Sequence, residues 1–342
     1  MRDKNVEIRV RNSEFGVQNS ELRTPNSSRV GQNESPPSPL TSRTEFCTTS
    51  RTEFGTTIGG AAGLPMYRGK VRDIYDLGET LLIVTSDRVS AFDVVFPDEI
   101  VGKGKILNQI SAYFFKKTKH IIQNHFITDK IEEMPVELQE YKEYLDGRSM
   151  LVKKTRVIPF EFICRGYLAG SAWEEYKKTG KVAEIPIQEM LGQSEKIQDT
   201  LFSPSIKSKT GHDVNISYKK MCERMDIHIA EKLKQVSIEL YNFGHELFFD
   251  KGIILADTKF EFGTADGELF LIDELFTPDS SRFWDKTHYE KGVSPLSYDK
   301  QFIRDYVLKI GWDKKEPAPR LPEDIIKKTI EKYEKLYKII SN

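Results

Sequence analysis

The sequence contains few cysteines and no long apolar run. Its 342 residues include 3 cysteines, Cys47, Cys164 and Cys222, which lie far apart and form no CxxC pair. A scattered, odd-numbered set argues against a disulfide framework or a structural zinc site and favours a reducing, cytoplasmic location. No apolar stretch approaches the roughly 20 residues that a membrane-spanning helix needs. We therefore expect no membrane partner.

An excess of either charge is also missing. The chain has 51 Lys and Arg against 52 Asp and Glu, whereas proteins that bind nucleic acid usually carry a basic surface. No nucleic-acid partner is expected. The 6 histidines show neither HxxxH nor HExxH spacing, and the chain has no GxSxG motif. The sequence thus gives no support for a zinc metalloprotease or a serine hydrolase.

Residues 1–63 differ in composition from the rest of the chain. They are rich in Ser, Thr, Asn, Arg and Gly, and they contain the polar tandem repeat SRTEFCTT (42–49) and SRTEFGTT (50–57). Such a segment cannot bury a core, so we predict a disordered, low-complexity extension. Its acids nearly match its bases, which argues against a transit peptide. Met66 leaves open that translation begins there and that the extension has no function.

From Tyr67 onward the pattern predicts an α+β fold in two lobes. The first lobe, residues 64–155, is rich in predicted strands, beginning with a hairpin whose turn is DLGE (76–79). The second, residues 156–342, combines a long amphipathic helix with two strands at 252–262 and 268–275. Strand-rich and mixed halves of this kind favour two lobes with a cleft between them.

The first of these two strands carries alternating charges. Asp257, Lys259 and Glu261 share one face, while Thr258, Phe260 and Phe262 share the other. The apolar face predicts burial, so the charged face must meet water, a metal or a ligand. Acids recur at the end of the next strand, in LIDELF (271–276), and carboxylates from adjacent strands are typical Mg²⁺ ligands. A solvated strand face is the alternative.

The register of this hairpin is open from sequence alone. If Asp266 and Gly267 form a two-residue turn, Glu261 lies opposite Ile272, and Asp273 then points to the other face. A longer loop or a bulge would return Asp273 to the face of Glu261.

Two further segments are candidate anion sites. RGKVRD (68–73) places a glycine between cations beside a strand, a pattern that suits phosphate but is also common on surfaces. In CRGYLAGSAWEEY (164–176), Ser171 and Glu174 predict a capping box and a helix that starts at Ser171. Gly170 would let an anion approach the helix start, and Arg165 lies just upstream. An ordinary capped helix with a surface arginine is the alternative.

Taken together, the motifs resemble those of one family. YRGKVRDIYD, TSDRVSAFD, GKGKILNQIS, IPFEFICRGYLAGSAW, GHDVNIS, ILADTKFEFG and LIDELFTPDSSRFWD occur in this order and are similar to those of the SAICAR synthetase family, the phosphoribosylaminoimidazole-succinocarboxamide synthases. The resemblance covers residues 64–342. It implies an ATP-grasp-like, α+β fold with a β-rich N-terminal lobe, an α+β C-terminal lobe and the active site between them.

The resemblance also implies a reaction. L-Aspartate would be joined to the carboxylate of carboxyaminoimidazole ribonucleotide (CAIR) to give SAICAR, ADP and phosphate, through an acyl phosphate, in de novo purine biosynthesis. This is a carbon–nitrogen ligation with ATP as co-substrate and Mg²⁺ as metal. The partners would be small molecules, in a cytoplasmic monomer or small homo-oligomer.

Carried onto this chain, the resemblance assigns roles to individual residues. ATP would meet Gly69, Lys70, Val71, Arg72, Lys153, Thr155 and Val157. The substrates would meet Ser90, Asp93, Lys103, Arg165, Ser171, Asp213, Asp279, Arg282 and Arg304. The catalytic residues would be Lys259, Glu261 and Asp273, of which Glu261 and Asp273 would hold Mg²⁺.

Two other functions remain open at this point. A small-molecule phosphotransferase, or another ATP-grasp enzyme, would also need a nucleotide lobe and a metal-binding acid strand. The chain lacks HRD and DFG motifs, which disfavours a protein kinase. A non-catalytic nucleotide-binding protein would bind ATP without turnover.

Overall fold

The computed structural model describes residues 66–206 and 214–341. The extension predicted to be disordered and the predicted substrate residue Asp213 lie outside this part of the chain. The described residues mix helices and sheets, which confirms the predicted α+β class. None of the described helices is both long enough and apolar enough to cross a membrane.

The strands and helices of the described residues are as follows. The strands are β1 (Met66–Arg68), β2 (Arg72–Asp76), β3 (Thr80–Thr85), β4 (Arg88–Ala91), β5 (Val94–Glu99), β6 (Phe126–Thr128), β7 (Ser149–Lys153), β8 (Arg156–Val157), β9 (Phe160–Tyr167), β10 (Lys181–Val182), β11 (Ile185–Pro186), β12 (Lys196–Ile206), β13 (Val214–Asn215), β14 (Ile253–Ala265), β15 (Glu268–Ile272) and β16 (Ser281–Asp285). The α-helices are α1 (Lys103–Lys117), α2 (Lys142–Leu145), α3 (Gly170–Thr179), α4 (Tyr218–Cys222), α5 (Ile227–Asp250), α6 (Gln301–Lys309) and α7 (Glu323–Ser341). Short 3₁₀ turns cover Ile131–Glu133, Val136–Tyr141 and Lys286–His288.

Two antiparallel sheets organise the fold. The first has five strands in the order β1-β2-β3-β7-β6, and the predicted hairpin around residues 76–79 joins β2 to β3. The second has seven strands, with β13-β12-β9-β14-β15 in sequence across the sheet and β8 and β16 also paired to β14. Every strand pair within these two sheets is antiparallel.

Strand β14 is the centre of the second sheet, and it changes neighbours along its length. Its first half lies between β9 and β16, and its second half between β8 and β15. Thr258, Phe260 and Phe262 are fully buried on the face that α5 covers. The prediction that this face is core is confirmed, and the charged residues of β14 therefore lie on the opposite face.

The hairpin β14–β15 has the two-residue turn considered from sequence. Asp266 and Gly267 both have positive φ, +53° and +78°, as a type I′ turn requires. Glu261 accordingly pairs with Ile272. This register alone would send the side chain that follows Ile272 to the far face, and the position of Asp273 depends on a further feature described below.

One apolar core spans the two sheets. Helix α1 contributes Phe114, which lies in the same cluster as Val152 of the first sheet and Phe262 of the second. The first sheet ends at Lys153 and the second begins at Arg156, close to the lobe boundary expected at residue 155. The division into two lobes stays a prediction, because the shared core joins them.

Helix α5 approaches the loop after β15 at Gly244. A methyl group at this position would lie 2.6 Å and 2.7 Å from two ring carbons of Phe276. The substitution Gly244→Ala should stabilise the helix by about 1 kcal/mol through its higher helix propensity. The overpacked core should destabilise the protein by roughly 1–3 kcal/mol. We expect a net loss of about 1 kcal/mol in the free energy of unfolding, measured by urea titration. The second substitution Phe276→Leu should recover part of it; a Gly244→Ala variant as stable as wild type would contradict this close packing.

Candidate active site

The charged face of β14 is paired with charges from its neighbours. Lys259 Nζ lies 2.7 Å from Glu161 of β9 and 3.2 Å from Glu261. Burial opposes the charged form of Lys259, but the carboxylates of Glu261, Glu161 and Asp273 outweigh it, so the pKa of Lys259 is raised above its ordinary value. A permanently protonated lysine therefore stands between acids in the middle of the sheet.

Asp273 joins this group through an unusual backbone conformation. It follows the last residue of β15 and has φ +71°, a left-handed conformation that few residues other than glycine adopt. The carboxylate is close enough to Glu261 for the two charges to interact. Burial and the charges of Glu261 and Glu274 raise the pKa of Asp273 to about 7, against the opposing charge of Arg72. Neither a longer loop nor a bulge in the hairpin was needed to bring the two predicted metal ligands together.

Arg72, at the start of β2, connects this acid group to the first sheet. Its guanidinium binds Asp273 through Nη1 and Glu274 through Nη2, the latter at 2.6 Å. The two acids lie about 200 residues further along the chain. Arg72 is thus a fixed counter-charge for the acids in this structure.

Residues 69–72 form a tight loop before β2. The amide of Gly69 donates to the carbonyl of Arg72 at 2.7 Å, and a side chain on Gly69 would collide with that carbonyl. Arg88 stabilises the loop because its guanidinium donates hydrogen bonds to the carbonyls of Gly69 and Lys70. The same guanidinium pairs with Asp73 at 2.8 Å. The loop is therefore preorganised without a ligand.

The other residues expected at the nucleotide and substrate sides lie around this loop. Lys70 pairs with Asp93 at 2.5 Å, and this contact ties the loop to the turn between β4 and β5, next to the buried Ser90. At the connection between the sheets, Lys153 pairs with Asp266 at 2.8 Å. Thr155 and Val157 lie beside Gly263 of β14.

A second charge group lies at the other end of the β14 face. Asp257 faces Arg165 of β9 on one side and Arg282 of β16 on the other. Arg282 Nη1 contacts both oxygens of Asp257, at 2.7 Å and 2.9 Å, and Arg165 Nη1 lies 3.4 Å from it. The buried guanidinium of Arg165 and the partly exposed one of Arg282 thus share a single carboxylate, which leaves positive charge for an anionic ligand.

The start of α3 borders this group, but the predicted capping box is wrong. Helix α3 begins at Gly170, its N-cap is Ala169, and no side chain caps it. The hydroxyl of Ser171 instead lies 3.5 Å from Arg165 Nη2, which takes it away from the helix amides. Gly170 has φ +56°, and a side chain there would overlap the guanidinium of Arg282. Because Gly170 has no side chain, the guanidinium of Arg282 can lie at the start of α3.

Arg304 and Lys300 extend the cation group from α6 and the residue that precedes it. Burial and the nearby Arg282 lower the pKa of Arg304, although Asp299 opposes them. Burial lowers the pKa of Lys300 to about 8, against the attraction of Asp279. Like-charged groups that are buried together gain stability from an anion between them.

Lys103 and Asp279, both expected to meet the substrates, form a buried ion pair. The side chain of Lys103 is 0% exposed and that of Asp279 3%, and the two pair at 2.8 Å. Tyr333 of α7 donates to Asp279 at 3.0 Å. Burial opposes ionisation of Asp279, but Lys103 and Lys300 lower its pKa below the ordinary value. In this structure the pair joins α1, α7 and the loop after β15, since its charges satisfy one another.

The acid group suits Mg²⁺, as far as its donors allow a test. Among the described residues, no set of three or more His, Cys, Asp or Glu has the arrangement of a metal site. Mg²⁺ is commonly held by one or two carboxylates, with phosphate oxygens and waters completing its shell. Glu261 and Asp273 supply two carboxylates, and a bound cation would offset the burial and the charge of Glu261 that raise the pKa of Asp273.

Comparison with known proteins identifies the family. A family model described as SAICAR synthetase matches residues 65–320. The chain belongs to the SAICAR synthetase family. It is 51% identical over 275 residues to phosphoribosylaminoimidazole-succinocarboxamide synthase of Thermodesulfovibrio yellowstonii, covering 80% of this chain and 94% of that protein. With the synthase of the same name from Elusimicrobium minutum it shares 50% identity over 273 residues, 79% and 94% of the two chains.

Solved structures agree with this membership. The SAICAR synthase of Saccharomyces cerevisiae in complex with SAICAR matches with a TM-score of 0.75 and 38% identity, over 86% of this chain and 98% of that one. The expected family and fold are confirmed. The chain is an ATP-using carbon–nitrogen ligase of purine biosynthesis, the activity of its family.

Several residues of the site were not predicted from sequence. Glu161 could have been found, because it lies four residues before Arg165 on β9 and therefore shares a strand face with it, as Lys259 and Glu261 share a face of β14. Glu274 is one of the two acids of LIDELF, but its pairing with Arg72 was not predicted. Arg88 and Lys300 had no such signal, since their roles depend on contacts with distant elements.

Lys300 predicts a pH dependence for anion binding. With a pKa of about 8, it is protonated at pH 7, and only about a tenth of it stays protonated at pH 9. Affinity for ribose 5-phosphate, whose phosphate is already a dianion at pH 7, should fall by up to about tenfold over this range. Isothermal titration calorimetry of wild type and Lys300→Arg tests this. The arginine variant should lose the dependence; if it keeps the same profile, Lys300 is not responsible.

Proposed function

We propose that the two charge groups on the β14 face divide the reaction between them. ATP and Mg²⁺ lie at Arg72, Glu261 and Asp273, the ribonucleotide phosphate lies at the arginine group around Asp257, and Lys259 stands between the two ends. The single observation behind this proposal is that one strand face carries an acid group and a cation group, joined by a protonated lysine.

At the nucleotide end, the preorganised loop of residues 69–72 offers backbone amides and the cations Lys70 and Arg72 to phosphate oxygens. Lys153, Thr155 and Val157 border the same opening, where the two sheets meet. Glu261 and Asp273 would hold Mg²⁺. When bound, the metal supplies positive charge that screens the phosphate oxygens of ATP from the attacking carboxylate.

At the ribonucleotide end, Arg165, Ser171 and Arg282 would bind the phosphate, with Arg304 beside them. Two guanidinium groups and a hydroxyl provide several donors in fixed positions. Asp257 orients both arginines before the ligand arrives, because it accepts from each of them. A phosphate anchored here would point the rest of CAIR along β14 toward Lys259.

The chemistry between these ends has two steps. First, a carboxylate oxygen of CAIR attacks the γ-phosphorus, the bond to the ADP oxygen breaks, and an acyl phosphate forms. Next, the neutral amine of aspartate attacks the acyl carbon; the carbon–oxygen bond to phosphate breaks and the nitrogen loses a proton. Lys259 offers a fixed positive charge to the carboxylate oxygens. Positioning of the three substrates by the two anchors contributes by raising their effective concentration.

Ser90, Asp93 and Asp279 belong to the aspartate and carboxylate side of this proposal, with different roles. Asp93 and Ser90 lie beside the phosphate loop, where Asp93 orients Lys70. Asp279 and Lys103 act through position, since their buried pair holds the loop that carries Asp273. The proposed role of Asp213 rests on sequence alone.

A coupled assay of ADP formation tests the function. Purified protein with ATP, Mg²⁺, CAIR and aspartate should release ADP and form SAICAR in equal amounts, and the omission of aspartate should stop sustained ADP release. Continued release without aspartate would indicate a phosphotransferase. Binding of ATP with no release under any condition would indicate a non-catalytic nucleotide-binding protein.

The same assay tests the acid group. Glu261→Gln and Asp273→Asn keep size and hydrogen-bonding capacity but remove the charge that a metal needs. Each should lower kcat by about 100-fold or more, with thermal unfolding confirming a folded protein. Glu268→Gln, at the exposed start of β15 in the same hairpin, is the matched control and should turn over normally. Wild-type rates in either acid variant at ordinary Mg²⁺ would refute the metal role.

A further inference from the structure

His125 lies where the two sheets meet and has no role in the reaction described so far. It precedes β6, and its backbone is fixed on both sides: its amide donates to the carbonyl of Leu271 at 3.0 Å, and its carbonyl accepts from Lys153 at 2.7 Å. Leu271 is in β15, two residues before Asp273. The imidazole is therefore held beside the strand that carries the proposed metal ligand.

The side chain is buried but not satisfied. His125 is 4% exposed, and its ring packs edge-on against Phe115 with centroids 5.2 Å apart. Among the described residues, none forms a hydrogen bond with its Nε2 atom, which is buried. Buried polar atoms without partners are rare and costly in folded proteins, so each calls for an explanation. A site that binds a ligand at this atom provides one.

The surroundings indicate which ligand. Arg72 and Glu261 are the charged groups that act on the imidazole, and burial together with Arg72 lowers the pKa of His125 to about 3. The ring is thus neutral at physiological pH and offers one N–H donor and one acceptor. The proposed function places the nucleotide phosphates at Arg72 and Glu261, and phosphate oxygens accept hydrogen bonds.

We propose that His125 Nε2 donates a hydrogen bond to a phosphate oxygen of the bound nucleotide. This inference rests on the proposed function, which places ATP at Arg72 and Glu261. Phosphate selects the tautomer with the proton on Nε2. Direct ligation of Mg²⁺ by this nitrogen is the less suitable alternative, because Mg²⁺ prefers oxygen ligands. His125 would thus add a neutral donor to the cations of the phosphate loop.

Two substitutions separate this role from a structural one. His125→Leu fills a similar volume without a donor, and His125→Gln can place an amide N–H near the position of Nε2. Nucleotide affinity of each variant is measured by calorimetry with MgADP, with ADP in EDTA and with adenosine. The thermal midpoint is measured without nucleotide.

If His125 binds phosphate, the leucine variant should bind ADP about tenfold more weakly or worse, with and without Mg²⁺, since hydrogen bonds to charged groups are worth that much. Adenosine affinity should not change. The glutamine variant should retain most of the ADP affinity. Without nucleotide, the leucine variant should melt at or above the wild-type temperature, because an unsatisfied polar atom has been removed.

The matched control is His245→Leu. His245 is a half-buried histidine of α5 whose Nδ1 lies 3.3 Å from the carbonyl of Leu255. It has no part in the proposed nucleotide site. This variant should lose thermal stability and keep its ADP affinity.

Four results would overturn the inference about His125. They are unchanged ADP affinity in the leucine variant, a loss seen only with Mg²⁺, an equal loss for adenosine, and a fall in thermal midpoint that parallels the fall in affinity. If wild-type protein binds no ADP at all, the proposed function fails first and the inference fails with it. The wild-type titration therefore distinguishes the two failures.

Discussion

The structure depends on the pairing of charges along one buried face of β14. Burial of an unpaired charge is costly. On this central strand Asp257 and Glu261 are buried and Lys259 is only partly exposed. Each therefore requires a partner from an adjoining element. Asp257 has arginines on both flanking strands, and Lys259 has Glu161 on β9. The order of strands around β14 is what brings these partners within reach.

Positive and negative side chains do not balance at either end of this face. Around Asp257, cations exceed acids. At the other end, the four carboxylates of Glu161, Glu261, Asp273 and Glu274 exceed the two cations, Lys259 and Arg72. Buried ion pairs contribute little net stability compared with apolar packing. Their concentration on one strand is therefore better explained by ligands of opposite charge than by stability. The large apolar core under the other face, which includes Phe260 and Phe262, stabilises the fold and offsets the cost of burying these charges.

Arg72 gives the ligand-free protein a counter-charge that comes from the other sheet. Its bonds to Asp273 and Glu274 hold the phosphate loop against the acid group. In the proposed reaction, a divalent cation and the phosphates would compete for the same partners: the metal for Asp273, the phosphates for the guanidinium. The same residue thus links closure of the two sheets to the charge state of the site.

The sequence by itself determined the fold class, the charged and apolar faces of β14 and the family. These features are encoded by residues close together in the chain, whose alternation depends only on strand geometry. A two-residue turn was one of the alternatives that the sequence left open, and in the structure it pairs Glu261 with Ile272. It did not predict the direction of Asp273, because the left-handed residue after β15 reverses the side that the alternation assigns.

Only the tertiary structure decided which charges meet. The capping box at Ser171 was a sound local pattern, but in the structure the Ser171 hydroxyl lies beside Arg165 and caps no helix amide. The buried pairing of Lys103 with Asp279, which lie far apart in the chain, was likewise not predicted. Lys300 and His125 carry no local signal, and nothing near Glu274 in the chain indicates that its partner is Arg72. Long-range pairs of this kind depend on sheet order and chain crossings, and no short-range periodicity records them.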